Sequence, residues 1–260
     1  MTLLTAQNLS KHFGGVVALT GFHLDIAEGD LLGLIGPNGA GKTTAFNLLT
    51  AVLAPSGGEI RFDGRDITRS SPEARARLGL TRTFQNIRLF DDLTVRQNVM
   101  AGAHAAYGAS ALHSIFGTPR HRRAEARIRE AADQALARTG LADFAERRAD
   151  ALAYGDRRRV EIARALASRP RLLLLDEPAA GMNDKEKSEL SQLIRQLNED
   201  DGLGIVLVEH NVRMVAALCH RLVVMNKGEI LAEGTTAEVL SRPEVEQVYL
   251  GRRRDHGGSA

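Results

Sequence analysis

One stretch decides the fold of this 260-residue chain: Gly36-Pro37-Asn38-Gly39-Ala40-Gly41-Lys42-Thr43. It matches the pattern G-x-x-x-x-G-K-[ST]. An apolar run at Asp30 to Ile35 precedes the stretch, and a helical pattern at Thr43 to Ala54 follows it. Because this phosphate-binding pattern requires a strand before it and a helix after it, the sequence predicts a phosphate-loop α/β domain.

The loop predicts how a polyphosphate is bound. Its glycines allow successive backbone N–H groups to point inward, and the helix that follows adds its positive end. We expect Lys42 to neutralise the β and γ phosphates, and Thr43 to offer its hydroxyl to Mg²⁺. Thr44 is the next candidate contact. It also excludes a dinucleotide site, because G-x-G-x-x-G needs glycine at that position.

A second acidic element follows the apolar run Leu172 to Leu175, where two carboxylates, Asp176 and Glu177, end a predicted buried strand. Phosphate-loop proteins keep a magnesium-ordering acid at such a place. We expect Asp176 to hold Mg²⁺ through water and Glu177 to polarise the water that attacks the γ phosphorus. Taken alone, the pair before Pro178 is also compatible with an ordinary turn.

Elsewhere short apolar runs alternate with longer helical patterns, which is typical of an α/β protein with parallel βαβ units. Further strands are predicted at Leu3 to Leu9, Val16 to Leu19, Gly21 to Ile26, Arg171 to Leu175, Gly204 to Val208 and Leu222 to Met225, a hairpin at Gly58 to Arg65, and helices at Asp184 to Asn198 and Val212 to Cys219. We predict a nucleotide-binding α/β core at 1–91 and 159–235, a helical sub-domain at 92–158, and a C-terminal extension and tail at 236–260.

Composition bounds the class of protein. Hydrophobic residues make up 43% and charged residues 25%, which excludes disordered, collagenous and coiled-coil chains. The 34 Lys and Arg against 32 Asp and Glu leave a net charge of +2, so nucleic acid is not the default partner. Cys219 is the only cysteine, and neither a signal peptide nor a long apolar run is apparent. We expect a protein of the reducing cytoplasm.

Five further elements make the chain, from about Leu3 to Gly251, resemble the nucleotide-binding subunits of ABC transporters. In that family an aromatic at the place of Phe13 stacks on adenine, and a glutamine at Gln85 contacts the metal and the water. A histidine at His210 touches the γ phosphate and orients the catalytic Glu177. Taken alone, Phe13 is also compatible with a strand-edge core residue, and His210 with a structural histidine.

The fourth element, Leu152-Ala153-Tyr154-Gly155-Asp156, resembles the family signature, which caps the γ phosphate of ATP held by the other subunit of a head-to-tail pair. The commonest form is Leu-Ser-Gly-Gly-Gln, so Ala153, Tyr154 and Asp156 are departures. Without the serine hydroxyl, we expect contact around Ala153 through backbone N–H groups, chiefly those of Tyr154 and Gly155. Asp156 suits a helix N-terminus but would repel a phosphate. The run Arg157 to Arg159 favours a solvated helix face.

The fifth element, Ala179-Ala180-Gly181-Met182-Asn183, resembles the inter-subunit loop, with Asn183 in place of the usual Asp. Together with Thr81 to Gln85, the Leu-Ala-Tyr-Gly core and the ending Val248 to Gly251, it points to the larger ATPase subunit of branched-chain amino acid importers. The segment Ile115 to Arg120 resembles an insertion of that branch, and a surface loop is the alternative. Urea or amide import, lipopolysaccharide export and a non-transport ABC ATPase remain open.

The resemblance implies a RecA-like core with an antiparallel β edge and an inserted helical sub-domain, which binds ATP and Mg²⁺. The implied partners are a second ATP-binding subunit, identical or related, two transmembrane permease subunits, and indirectly a periplasmic solute-binding protein. It implies a peripheral place on the cytoplasmic face of the inner membrane and no nucleic acid. The segment Asn226 to Glu229 resembles the guanine-reading Asn-Lys-x-Asp of GTPases, but it ends in Glu and has the pattern of a hairpin turn.

Overall fold

The computed structural model describes residues 1–107 and 119–254. The strands are β1 (Thr2–Phe13), β2 (Val16–Ala27), β3 (Leu31–Ile35), β4 (Gly57–Phe62), β5 (Arg65–Asp66), β6 (Leu80–Arg82), β7 (Leu172–Asp176), β8 (Gly204–Val208), β9 (Arg221–Asn226) and β10 (Glu229–Thr235). The α-helices are α1 (Lys42–Leu49), α2 (Pro72–Arg77), α3 (Val95–Tyr107), α4 (Pro119–Arg138), α5 (Tyr154–Leu166), α6 (Asp184–Glu199), α7 (Val212–Leu218), α8 (Thr236–Leu240) and α9 (Pro243–Arg254).

Two compact units make up this part of the chain. The first unit comprises Met1–Pro72, Leu174–Glu177 and the chain from Arg195 onward. The second comprises Glu73–Leu173, apart from 108–118, and Pro178–Ile194. The division at 92, 158 and 235 that the sequence suggests stays a prediction.

The first unit is built on a sheet in the order β10-β9-β3-β8-β7. Strand β3 pairs in parallel with β8, where Leu34 lies opposite Val208, and with β9, where Ile35 lies opposite Val224. All five residues of β3 and of β8 are buried, as expected for strands covered on both faces. Because α7 connects β8 to β9 on the other side of β3, the predicted parallel βαβ arrangement is confirmed.

A second, antiparallel sheet in the same unit has the order β2-β1-β4-β5. Leu4 of β1 lies opposite Ile26 on one side and Phe62 on the other. The runs predicted as two strands before and after Thr20 form the single strand β2, in which Gly21 has a φ of 57°. With this sheet beside the parallel one, the predicted α/β fold with an antiparallel edge is confirmed.

Helix α1 ends at Leu49, so the predicted extension to Ala54 is wrong. The hydroxyl of Thr50 donates a hydrogen bond to the carbonyl of Phe46 at 2.7 Å, and Ala51 takes a left-handed φ of 59°. A left-handed residue after the last turn is a common way for a helix to stop.

The second unit is mainly helical, as the composition between Leu93 and Asp150 predicts. Helices α3 and α5 approach so closely that a Cβ on Gly102 would lie 1.9 Å from the carbonyl oxygen of Arg164. Strand β6 and the first two residues of β7, Leu172 and Leu173, belong to this unit. Within residues 1–107 and 119–254, no helix is both long and apolar enough to cross a membrane. Of the predicted insertion at Ile115 to Arg120, residues 115–118 lie outside the described residues.

Candidate functional site

The predicted phosphate loop connects β3 to α1 in the first unit. Gly36, Gly39 and Gly41 have φ values of 153°, 79° and 100°, which residues with a Cβ rarely adopt. At Gly36 a Cβ would also lie 2.3 Å from the carbonyl oxygen of Met225, so this position needs glycine for space as well as for conformation. The loop is therefore fastened against strand β9.

The turn between β9 and β10 is hydrogen-bonded to the same loop. The backbone N–H of Gly228 donates to the carbonyl of Ala40 at 3.0 Å, and the Gly228 carbonyl accepts from Thr20 at 2.9 Å. The segment Asn226 to Glu229 is thus the predicted hairpin turn, and its backbone holds the phosphate loop to β2.

Lys42 is buried at the first position of α1, with only 6% of its surface exposed. Its ammonium donates hydrogen bonds to the carbonyls of Gly36 at 2.7 Å and Pro37 at 3.0 Å. These bonds hold the positive charge of the ammonium beside the first two residues of the loop. An ammonium held there can neutralise phosphate oxygens that the loop N–H groups bind.

The first turn of α1 presents the remaining predicted contacts. The first intrahelical bond runs from the N–H of Ala45 to the Gly41 carbonyl at 2.8 Å, so the N–H groups of Lys42, Thr43 and Thr44 precede it. No acidic side chain lies in this turn, which leaves the positive end of the helix for an anion. Thr43 is exposed and Thr44 half-buried; in the loop, Pro37 is half-buried and Asn38 exposed.

Strand β7 brings the predicted acid pair to the edge of the sheet where β8 ends. The N–H of Glu177 donates to the carbonyl of Val208 at 2.9 Å, which places the ends of β7 and β8 side by side. Leu34 at the end of β3 lies opposite Val208, so the phosphate loop starts at the same edge. Asp176 is 3% exposed at this edge. The parallel strands thus bring loop, acids and His210 to one edge.

Glu177 has a φ of 47°, a left-handed conformation that costs a residue with a Cβ about 1–2 kcal/mol. Such outliers persist where the surrounding structure enforces them, commonly at functional sites. Its Oε1 lies 2.5 Å from Nε2 of His210. An ionised carboxylate only accepts hydrogen bonds, so the imidazole donates through Nε2–H. The sequence-predicted catalytic pair is therefore in direct contact.

Phe13 ends β1 in the same unit, and 46% of its surface is exposed. The ammonium of Lys11 lies 5.2 Å from the centre of its ring, within the range of a cation–π contact. An aromatic ring with so much exposed surface is not a core residue. Its open face can stack on a nucleotide base.

The candidate magnesium ligands supply oxygen atoms only. Thr43 offers a hydroxyl and Asp176 a carboxylate in the first unit, and Gln85 offers an amide oxygen in the second. In residues 1–107 and 119–254, no three or more His, Cys, Asp or Glu side chains form a metal cluster. Within the first unit, the hydroxyl of Thr43 and the carboxylate of Asp176 fit Mg²⁺, which takes few protein ligands, keeps several waters and shares the phosphates of its nucleotide.

In the second unit the predicted signature starts a helix. Ala153 is the N-cap of α5, with φ −61° and ψ 156°, and Tyr154 is its first residue. Asp156 lies in the first turn, 3.9 Å from the guanidinium of Arg159. A carboxylate at this place is stabilised by the positive helix end.

The predicted solvated face of Arg157 to Arg159 is wrong for its central residue. Arg158 is fully buried and pairs with Glu161 at 2.8 Å, whereas Arg157 pairs with Asp91 at 2.6 Å and Arg159 with Glu189. Burial raises the pKa of Glu161, although hydrogen bonding and the nearby arginines oppose the shift. Sequence reasoning missed this pair. Its only signal is the three-residue spacing of opposite charges on a helix.

Asn183 has a structural task in the second unit. Its side-chain oxygen accepts from the N–H of Glu186 at 3.0 Å, and the Glu186 carboxylate accepts from the N–H of Asn183 at 2.9 Å. This reciprocal capping box starts α6. Asn caps helices as well as Asp does, so the change from the usual Asp keeps the cap without a charge.

A family model described as "ABC transporter" matches residues 19–180. Among curated proteins, the high-affinity branched-chain amino acid transport ATP-binding protein BraF of Pseudomonas aeruginosa is 42% identical over 249 residues, which cover 96% of this chain and 98% of BraF. The lipopolysaccharide export system ATP-binding protein LptB of Haemophilus influenzae is 35% identical and covers 97% of this chain and 99% of its own length.

Solved structures agree with the fold. An ATP-binding cassette of an ABC transporter in its ADP conformation superimposes with a TM-score of 0.84 at 32% identity, covering 96% of this chain and 99% of that one. A dimeric post-hydrolysis cassette bound to ADP and phosphate matches with a TM-score of 0.73 at 26% identity, covering 90% and 99%. These matches confirm the resemblance that the motifs indicate. The chain belongs to the ABC transporter family, as one of its ATP-hydrolysing cassettes.

Proposed function

We propose that the chain is the ATP-hydrolysing motor subunit of an importer for branched-chain amino acids, leucine, isoleucine and valine. The observation that carries the solute class is the 42% identity to BraF over 96% of this chain and 98% of that protein. The phosphate loop and the Glu177–His210 contact supply the chemistry on which the motor depends.

The first unit binds the nucleotide in this proposal. Phe13 stacks on adenine, and the backbone of Gly36, Pro37, Asn38, Gly39, Ala40 and Gly41, with Lys42, Thr43 and Thr44, binds the phosphates. The burial of Lys42 and its bonds to two loop carbonyls support this role, because they hold its charge at the opening of the loop.

Hydrolysis transfers the γ phosphoryl to water. The oxygen of water forms the new bond to phosphorus as the bond to the bridging oxygen breaks, and ADP and phosphate leave. The Glu177 carboxylate accepts a hydrogen bond from this water and takes its proton, and His210 orients that carboxylate. Thr43, Asp176 and Gln85 hold Mg²⁺, which neutralises charge on the phosphate oxygens when it is bound.

The working form in this proposal is a head-to-tail pair with two nucleotides between the subunits. Each nucleotide lies between the phosphate loop of one subunit and Ala153, Tyr154 and Gly155 of the other, whether the pair is identical or mixed. The dimeric cassette bound to ADP and phosphate supports this arrangement. The N-terminal end of α5 suits a γ phosphate, because its N–H groups and dipole attract anions.

The partners of the pair are two transmembrane permease subunits and, through them, a periplasmic solute-binding protein. The pair then works from the cytoplasmic face of the inner membrane, without nucleic acid. ATP binding favours the closed pair and hydrolysis releases it, so the nucleotide cycle moves the permeases.

Transport in cells tests the solute. Cells that lack this gene and any back-up carrier are supplied with the wild type, Lys42→Ala, or Lys185→Ala as a control, and the uptake of labelled leucine is measured. Loss of a charge-assisted contact to phosphate weakens ATP binding by roughly 10-fold to 150-fold. We therefore expect uptake with the wild type and the control only. Leucine uptake that is unchanged without the protein would refute this solute class.

Lipopolysaccharide export is the second candidate, because the LptB relative covers nearly the same length at 35% identity. Urea or short amides are the other open solutes, and they are tested as unlabelled competitors of leucine. Lipopolysaccharide at the cell surface, measured in the same strains, is expected to be unaffected. If lipopolysaccharide were lost from the surface of cells supplied with Lys42→Ala, but kept on cells supplied with the wild type or Lys185→Ala, export would be favoured.

The dimer is tested with Glu177→Gln, which keeps the shape of the side chain but removes the carboxylate. We expect kcat to fall by about 10²–10⁴-fold and an ATP-bound dimer to accumulate in gel filtration. The exposed Glu199→Gln is the matched control. A monomer at saturating Mg-ATP, with any partner ATPase supplied, would contradict the sandwich.

A further inference from the structure

Arg158 lies at the centre of a hydrogen-bond network inside the second unit. Its side chain has no exposed surface, although arginine is among the residues least often buried. Nη1 donates to the carbonyl of Phe84 at 2.9 Å, and Nη2 donates to the carbonyl of Gln85 at 2.8 Å. One guanidinium thus binds two successive carbonyls of the loop that carries the candidate metal ligand Gln85.

The same guanidinium reaches the start of its own helix. Nη2 of Arg158 also donates to the hydroxyl of Tyr154 at 3.4 Å, and this hydroxyl donates to the carbonyl of Ala180 at 3.0 Å. The Tyr154 ring covers Gly181, where a Cβ would come within 3.3 Å of ring atom Cε1. Tyr154, which stands where the commonest signature has its first glycine, therefore connects the signature to the inter-subunit loop.

Glu161 completes the network one turn further along α5. Its Oε2 accepts from Nη1 of Arg158 at 2.8 Å, and its Oε1 accepts from the N–H of Arg88 at 2.9 Å. The loop that begins at Phe84 is therefore attached to α5 at both of its ends. A buried charge is tolerated only when it is paired and hydrogen-bonded. Arg158 is paired with Glu161 and donates through Nη1 and Nη2, while its buried Nε has no hydrogen-bond partner among the described residues.

We propose that Arg158 is a positioning residue of the ATPase, which holds the Gln85 loop, the signature residue Tyr154 and the Ala180 loop in one fixed arrangement. Displacement of any one of the three then moves the other two. The planar fork of an arginine can bind several acceptors at fixed angles, whereas a lysine ammonium cannot reproduce that geometry. This inference rests on the roles proposed above for Gln85 and the signature.

The network predicts a separation between binding and turnover. Nucleotide binding depends on the phosphate loop of the first unit, so changes at Arg158 are expected to leave the affinity for ATP unchanged. Turnover depends on Gln85 and the signature, and a misplacement of about 1 Å at a catalytic group can cost about 10²-fold in rate. A residue that only stabilised the fold would change the melting temperature without this selective loss of kcat.

The main variant replaces both charges, Arg158→Met with Glu161→Leu, since apolar side chains of similar volume often replace a buried ion pair without loss of stability. Arg158→Lys and Tyr154→Phe are the milder variants. Arg195→Met is the matched control, because this arginine also donates to a carbonyl, that of Ala217 at 3.1 Å, but in the first unit. Tyr107→Phe is the control for the loss of a tyrosine hydroxyl.

The measurements on the purified full chain are kcat and KM for ATP, ATP affinity and melting temperature. We expect kcat to fall about 10- to 100-fold in the double variant at unchanged ATP affinity, with a smaller fall in Arg158→Lys and in Tyr154→Phe. Arg158→Lys and Tyr154→Phe, when combined, should be non-additive, because both break the same path to Ala180. The controls should match the wild type.

Two outcomes overturn the proposal: a folded double variant whose kcat stays within twofold of the wild type, or Arg158→Lys and Tyr154→Phe variants indistinguishable from their controls. If the double variant unfolds, these two milder variants decide. Lys42→Ala and Gln85→Ala separate the two hypotheses. Should they abolish hydrolysis while the Arg158 variants do not, only the positioning role is wrong; should they too leave hydrolysis intact, the proposed function itself fails.

Discussion

Nε2 of His210 donates a hydrogen bond to Oε1 of Glu177 across 2.5 Å, although 33 residues separate the two in the chain. Strands β7 and β8 end side by side, and the left-handed backbone of Glu177 accompanies this contact at the edge of the sheet. The histidine is half exposed, with 46% of its side chain accessible, whereas 15% of the Glu177 side chain is. Solvent therefore reaches the histidine of this pair much more than the glutamate.

His210→Ala removes the donor that orients Glu177. We expect kcat for ATP hydrolysis to fall about 10²-fold, because a displaced carboxylate no longer faces the attacking water, while ATP affinity changes little. Steady-state hydrolysis and nucleotide titration measure the two quantities. His220→Ala, at another exposed histidine, is the control. A kcat within twofold of the wild type would mean that the contact has no part in turnover.

Phe13→Ala removes the exposed ring proposed to stack on adenine. Base–aromatic stacking contributes about 1–3 kcal/mol, so ATP should bind roughly 5- to 150-fold more weakly. Phe13→Tyr keeps a ring and should retain most of the affinity. Isothermal titration with ATP compares the three proteins. Equal affinity in Phe13→Ala would assign this ring another role.

Asp156→Gln restores the commonest residue of the signature and removes a negative charge near the proposed phosphate. Because a charge near a helix end contributes about 0.3–1 kcal/mol, we expect ATPase activity to stay unchanged or to rise roughly 2- to 5-fold. Asp156→Asn separates the effect of charge from that of length. A large fall in kcat in both variants would show that the carboxylate, with Arg159 3.9 Å away, has acquired a role of its own.

The pH dependence of stability tests the burial of Glu161, whose pKa burial raises above 4.5. The folded state then binds the proton more tightly than the unfolded state does, so this group favours folding at low pH, and that contribution is lost as pH rises from 4.5 through the raised pKa. Glu161→Gln lacks the titration. The wild type should therefore exceed Glu161→Gln in unfolding free energy by less and less as pH rises across this window. Urea unfolding of both proteins at several pH values measures this difference. A constant difference would contradict the shift.

Elements that local pattern determines could be predicted from the sequence. The apolar runs of β3, β7 and β8 are long enough and flanked clearly enough to define strands, and the glycines of the phosphate loop define the turn between β3 and α1. The end of α1 could not be predicted, because it depends on the left-handed Ala51 and on a side-chain bond from Thr50.

Contacts between distant segments could not be predicted from the sequence either. Nothing near Arg158 in the chain indicates that it binds the carbonyls of Phe84 and Gln85, which precede it by 74 and 73 residues. A run of three arginines on a helix is most often solvated, and the buried one among them is distinguished only by the segments folded over it. Tyr154 could be recognised as a departure from the signature, but its bond to Ala180 requires the fold.

The close approach of Gly36 to Met225 has a consequence for the energetics of nucleotide binding. Because β9 and the hairpin turn at Gly228 support the loop, its shape is set by the folded sheet. A preorganised loop has little conformational entropy left to lose when phosphates bind, so more of the interaction energy remains as affinity. ATP and ADP alike then bind to a loop whose shape is already set when the chain has folded.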